Sequence, residues 1–277
     1  MKSRRLMSYF LIGTGVALLA LALVAWVLQL DSACRADRIQ NETGKLYYGG
    51  NVLDFLMSSA HAEETEDRQI QSDFAELYAA NADVVGWLKA GENIDGPVVQ
   101  RDNEYYLTHD FYGSADSNGT LFLNAVNSIE PRDDVLLIHG HNMRSGAMFG
   151  KLAYFREYDY LKQYPIIMFR TIYDAQEMYY TPVYAFDVSM QADNSEYFDI
   201  TRVNFDDENE SDAFCEYLSA MQKLSLWRAE ADVTENDKLL MLVTCSYKQE
   251  DGRFVLVCRA LRDDETVEGI NAVYSDE

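Results

Sequence analysis

Positive charge is scarce in this chain. Its 277 residues carry 23 Lys and Arg against 46 Asp and Glu, a formal charge of −23. Lys2, Arg4 and Arg5 stand before the first long apolar run, so residues 31–277 hold 20 basic against 46 acidic groups, a net −26. A surface of that sign lacks the basic footprint that nucleic-acid binding needs. It also repels anionic lipid headgroups. The excess acid is read as a solvated, soluble surface. Cysteine is sparse as well: Cys34, Cys215, Cys245 and Cys258, with no CxxC pair and no His at zinc-finger spacing. That excludes a structural zinc site and leaves open both a disulfide and a free reactive thiol. There is no internal repeat and no low-complexity segment.

One stretch lacks charge altogether. Residues 8–30, SYFLIGTGVALLALALVAWVLQL, contain no charged side chain over 23 positions. At about 1.5 Å per residue such a helix spans a hydrocarbon core of about 30 Å. Tyr9 and Trp26 sit near its ends, where interfacial aromatics are common. The run is longer than the ~7–15-residue apolar region of a secretory signal. Asp31, three residues before Cys34, is unlike a lipoprotein signal. An uncleaved single-pass anchor is therefore expected, with residues 1–7 cytoplasmic and the rest outside. Residues 31–66 are expected as a polar stalk, 67–265 as the main domain and 266–277 as a tail.

Within the main domain, Asp67–Asn81 predicts a helix, with Ile70, Phe74, Leu77 and Tyr78 on one stripe. Short apolar runs then predict strands over Val84–Leu88, Pro97–Gln100, Thr120–Asn124, Val135–His139, Ile166–Thr171 and Met178–Val188. Lys238–Cys245 and Arg253–Leu261 complete the set. Many short strands separated by Gly, Asn and Asp indicate a barrel or sandwich. Helices are predicted over Ser145–Phe155 and over Ser211–Leu226, the latter with Phe214, Tyr217, Leu218, Met221 and Leu224 inward. Cys215 on that helix is expected to be buried.

The most informative segment is LLMLVTCSYKQEDGRFVLVCRAL. Cys245 ends one strand and Arg253 opens the next, and Asp251-Gly252 marks the turn. A neighbouring cation favours thiolate, and a guanidinium offers forked donors to an oxyanion. Alone, the pair reads equally as a buried thiol and a surface Arg. Cys258, an odd number of positions from Arg253, should face the other side of the sheet. The second segment is IHGHNMRSGAMFGKL, where a strand ends in His139-Gly140-His141. A His at a strand end can serve as general acid. Both could reach one face and meet a metal, but no third ligand is evident. His109 reads as structural and His61 as solvated.

In order along the chain, WLKAGENIDGPVVQ, DNEYYLTHDFYG, GTLFLN, IHGHNM, GAMFGKL, YPIIMF, LVTCSY and GRFVLVCRAL resemble the class B sortases, over roughly residues 70–262. The resemblance implies a mainly β protein: a closed eight-stranded mixed β-barrel with an N-terminal helical extension and a long inserted helix before the nucleophile strand. It implies a Cys-His-Arg site, mapped onto Cys245, His141 and Arg253. Asn124, Val243, Thr244 and Ser246 are the substrate-binding candidates. The implied reaction is cleavage of a Thr-containing C-terminal sorting motif through a thioacyl intermediate. A peptidoglycan-precursor or pilin amine then resolves it, with no cofactor and no metal. A hydrolytic cysteine endopeptidase and a non-catalytic envelope binding module are the competing readings. Two departures from the family stand out: His139 replaces the usual Tyr before the Gly-His pair, and Val243 stands two residues before the Cys where class B members often carry Ser.

Overall fold

The computed structural model describes residues 2–49, 69–195, 197–205, 210–248 and 250–275. Among the described residues there are eight strands: β1 (Val84–Ala90), β2 (Ile94–Val99), β3 (Leu121–Leu123), β4 (Val135–His139), β5 (Ile167–Thr171), β6 (Tyr179–Ser189), β7 (Leu239–Ser246) and β8 (Gly252–Ala260). They close into a barrel in the order β1-β2-β3-β4-β7-β8-β6-β5, with β5 returning to β1. The β2–β3 and β4–β7 pairs are parallel and the others antiparallel. The expected closed mixed barrel is thus the architecture observed.

Alternation along each strand divides the side chains between two cores. Leu136, Ile138, Leu240, Leu242, Phe254, Leu256 and Cys258 fill the barrel interior. Val135, Leu137, Met241, Val243, Val255 and Val257 form part of a second core on the outer face. The helix Glu210–Leu224, inserted between β6 and β7, covers that outer core with Phe214, Tyr217, Leu218 and Met221. Each such large apolar side chain contributes on the order of 1.5–3 kcal/mol when fully buried. Cys215 falls off this stripe and is exposed, so the expectation that it is buried does not hold. Its neighbours at helical spacing are mostly polar, Asp212 and Ser219 among them, and it lies with them and Glu216 on the exposed face.

Numbered along the chain, the α-helices are α1 (Lys2–Gly49), α2 (Ala75–Ala80), α3 (Tyr158–Gln163), α4 (Glu210–Leu224) and α5 (Val267–Ser275). The helix expected over Asp67–Asn81 is shorter than its apolar stripe: a 3₁₀ turn at Ser72–Phe74 leads into α2. Phe74 and Leu77 are buried, whereas Tyr78 is exposed. No helix forms over Ser145–Phe155. Gly146 and Met148 have φ of 87° and 50°, which breaks any helical run. Phe149, Leu152 and Phe155 nevertheless all enter the barrel core, through turns and a 3₁₀ segment at Leu152–Arg156, before α3.

Helix α1 is continuous through the apolar run and into the segment expected as stalk. Residues 14–30 are almost wholly exposed, and one window of this helix is long and apolar enough to cross a membrane. Its second half lies on the barrel. Ser32 donates to Asn118 Oδ1 at 2.9 Å and its carbonyl accepts from Asn118 Nδ2 at 2.8 Å. Thr43 is fully buried. Tyr47 stacks on Trp87 with centroids 4.4 Å apart and planes 3° from parallel. At the other terminus, α5 occupies part of the segment expected as tail and inserts Ile270 and Tyr274 into the barrel core. His61 lies outside the described residues.

Candidate active site

β7 and β8 are antiparallel neighbours whose register places Cys245 directly opposite Arg253. Directly opposed residues in an antiparallel pair project to the same face. Here that is the outer face, continuing the row of Val243 and Val255. Asp251, with φ 48°, makes the turn that starts β8. Its carboxylate holds Arg253 Nη1 at 3.0 Å, and the same Nη1 donates to the Gly252 carbonyl at 3.0 Å. Cys245 and Arg253 are both half-buried.

The histidine segment arrives along β7. In the parallel β4–β7 pair, His139 lies opposite Val243. The chain keeps this register past the end of β4. Gly140 N–H donates to the Val243 carbonyl at 3.2 Å, and Thr244 Oγ1 donates to the Gly140 carbonyl at 2.8 Å. Asn142 Nδ2 then donates to the Cys245 carbonyl at 2.8 Å. The loop that carries His141 is thereby tied along the end of β7 that bears Cys245. Gly140 is required there: a Cβ would lie 2.5 Å from Leu121 and 2.8 Å from the Phe149 ring. His141 Nε2 is 2.7 Å from the Leu107 carbonyl. A carbonyl only accepts, so Nε2 carries the proton of this bond. Nδ1 is the nitrogen left free of it.

His139 is in a different situation. It faces outward near Arg253, stacks on Phe122 with centroids 5.2 Å apart, and has Nε2 2.9 Å from Asn124 Nδ2. Since the amide nitrogen donates, this Nε2 is the accepting nitrogen of a neutral ring. Burial, and then the Arg253 charge, hold the His139 pKa down to about 4. Asn124 Oδ1 in turn accepts from Asn103 Nδ2 at 3.2 Å.

The register pairs Cys245 with Arg253, and the Asn142 bond to the Cys245 carbonyl ties the loop that carries His141 to the same strand. The four substrate-binding candidates are placed less favourably. Asn124 is 5% exposed and engaged with His139, and Val243 is 1% exposed in the outer core. Thr244 and Ser246 alternate to the inner face, Thr244 bonded to Gly140 and Ser246 Oγ to Asp187 at 2.7 Å. Cys258 is fully buried in the interior, and burial pushes its thiol pKa well up, as its expected opposite facing requires. His109 stacks on Tyr105 at 4.1 Å, a structural contact. Cys34 is exposed on α1. Among the described residues no group of three or more His, Cys, Asp or Glu gathers as a metal site. Sequence reading missed Asn103, the Leu107 carbonyl and Asp187. A backbone acceptor leaves no trace in side-chain pattern, and an Asp in a strand looks like an ordinary polar position.

No family model matches the chain. Two curated proteins resemble it along most of its length. Sortase B of Listeria monocytogenes is 28% identical over 212 residues, 73% of this chain and 82% of its own. Sortase B of Staphylococcus aureus is 25% identical over 211 residues, 75% of this chain and 80% of its own. A crystal structure of sortase B from B. anthracis in complex with AAEK1 superposes with a TM-score of 0.67 at 20% identity, covering 84% of this chain and 99% of that one. Sequence likeness and fold agree in supporting a cysteine transpeptidase similar to the class B sortases.

Proposed function

We propose that Cys245 is the nucleophile, His141 the general acid and Arg253 the oxyanion and substrate-orienting residue of a membrane-anchored sortase. The observation that carries this reading is the register that sets Cys245 opposite Arg253, while Asn142 ties the His141 loop to the Cys245 carbonyl. The Cys245 thiolate adds to the carbonyl of a Thr in a C-terminal sorting signal. Arg253 meets the developing oxyanion with its planar set of donors. Collapse of the tetrahedral adduct expels the amine of the following residue, which takes a proton from His141 Nδ1. The Leu107 carbonyl keeps the ring oriented through Nε2. A thioacyl enzyme results. An acceptor amine from a peptidoglycan precursor or a pilin then attacks it and releases Cys245.

His139 is assigned no proton transfer, because its ring is held neutral and bonded to Asn124. The uncharged run of residues 8–30 within α1 supports an anchor with residues 1–7 cytoplasmic and the barrel outside. Tethering enzyme and substrates to one membrane raises their effective concentration.

The test is incubation of residues 31–277 with a small library of Thr-containing pentapeptides, with and without an amine nucleophile, read by mass spectrometry. Cleavage after Thr with a new amide bond to the added amine is the expected result. Cleavage yielding only the free acid, even with amine present, would favour the endopeptidase. No cleavage of any peptide would favour a binding module.

A further inference from the structure

We infer that Arg156 and Asp187 form a clasp on the inner face of the barrel that positions Cys245 and Arg253 from behind, so that both are positioning residues for the transpeptidase reaction. The inference rests on the assignment of Cys245 and Arg253 made above.

The geometry is specific. Asp187, on β6, lies directly opposite Phe254, and Phe254 lies directly opposite Thr244 on β7. Phe254 belongs to the interior core, so this row faces inward, away from the Cys245–Arg253 row. Arg156, at the end of the 3₁₀ segment, reaches Asp187 with two forked contacts: Nη2 to Oδ1 at 2.5 Å and Nε to Oδ2 at 3.1 Å. Ser246 Oγ donates to Asp187 Oδ1 at 2.7 Å and accepts from Arg156 Nη2 at 3.3 Å. Lys248 Nζ adds a contact to Asp187 Oδ2 at 2.8 Å. The Arg156 guanidinium also sits 4.2 Å from the centroid of the Phe254 ring.

The two residues gripped by this pair are the chain neighbours of the two proposed catalytic residues. Ser246 follows Cys245, and Phe254 follows Arg253. A one-residue slip of either strand would turn Cys245 or Arg253 to the other face. It would also pull Ser246 off Asp187 or Phe254 out from under Arg156. Burial raises the Asp187 pKa, but hydrogen bonds from Arg156, Lys248 and Ser246 outweigh it and hold the carboxyl down at about 2. The carboxyl is therefore ionised, and the ion pair formed, at neutral pH. Asp187 and Ser246 share the inward-facing row of Phe254 and Thr244, so an effect of these substitutions on turnover is expected to pass through the hairpin.

The test is the double variant Arg156→Met/Asp187→Leu. Replacing both partners of a buried pair by apolar groups is often neutral for stability, unlike removing one. Turnover of the best peptide is expected to fall about 10-fold or more with KM within twofold, and the thermal midpoint to stay within a few degrees. Asp187→Asn, which keeps an acceptor for Ser246, should lose less. Should the double variant not fold, Asp187→Asn carries the test by the same split of kcat against KM. The control is Arg259→Met/Glu265→Leu, which removes an ion pair made by the end of β8 farthest from the Asp251 turn. That variant should keep kcat. A clasp variant with kcat within twofold of the parent would overturn the inference, as would equal losses in the control. Cys245→Ala is assayed in parallel. If it still cleaves peptide, the catalytic assignment itself fails.

Discussion

At the scale of the residue, the two adjacent histidines make opposed demands. His141→Ala should reduce peptide cleavage by about 10²–10⁴-fold, the usual range for a positioned general acid. His139→Tyr should retain most of the activity, and steady-state kinetics of the two variants separates them. A loss on His139→Tyr with His141→Ala active would reverse the assignment. His139 has a separate signature in stability. Its folded pKa of about 4 lies below the unfolded value of about 6.5. The unfolded chain therefore binds the extra proton between these values, and the fold loses stability as pH falls through that window. The full gap corresponds to about 3 kcal/mol, less wherever solvent reaches the ring. Denaturant unfolding from pH 7 to pH 4 should show this slope, and His139→Phe should flatten it. Arg253→Lys should cost about 10²-fold in kcat with folding intact, because Lys supplies charge without the planar fork. Near-full turnover would leave Arg253 a simple electrostatic role. Of these groups, Cys245, Arg253 and His141 were nominated through the resemblance, whose short blocks carry them. The Leu107 carbonyl and the Asp187 carboxylate were not, since their partners lie 34 and 59 residues away along the chain and no local pattern marks them.

At the scale of the element, all eight strands were legible, because runs such as LLMLV and RFVLV are buried on both faces and read as continuous apolar stretches. The Ser145–Phe155 segment was not. Its Phe149, Leu152 and Phe155 are spaced like a helix face, yet Gly146 and Met148 at positive φ turn the backbone instead. Periodicity reports which side chains go inward and is silent on the path between them. The same holds for α5, whose Ile270 and Tyr274 sit four apart at the end of a polar-looking segment. α5 follows the end of β8 farthest from the Asp251 turn. Ile270→Ala should therefore cost about 2–4 kcal/mol of stability. It should leave kcat of the folded fraction unchanged. Thermal melting paired with turnover checks both halves, and a fall in kcat without a shift in melting would contradict this separation of roles.

At the scale of the whole molecule, α1 joins the apolar run to the barrel without an intervening break among the described residues. The Ser32–Asn118 pair and the Tyr47–Trp87 stack fix the helix to the body. With the N-terminus cytoplasmic, protease added to intact cells should digest the barrel and spare a short N-terminal fragment. Full protection, or a mature N-terminus near residue 34, would refute the anchor. The strongly acidic exterior was legible from composition. That the second half of α1 packs on the barrel was not, because its contacts alternate with charged residues and the segment reads as polar.

The parallel pairing of β4 with β7 carries a further consequence for how the enzyme comes into being. Parallel neighbours cannot be joined by a tight turn. His141 and Cys245 are brought side by side only after β5, β6 and α4 have been laid down between them. Contacts of such long range form late, once loop entropy has been overcome. An incompletely folded chain thus has a thiol and an imidazole with no means of meeting. On the proposed assignment, peptide cleavage is therefore expected to appear only with closure of the barrel, which the topology makes a condition of activity.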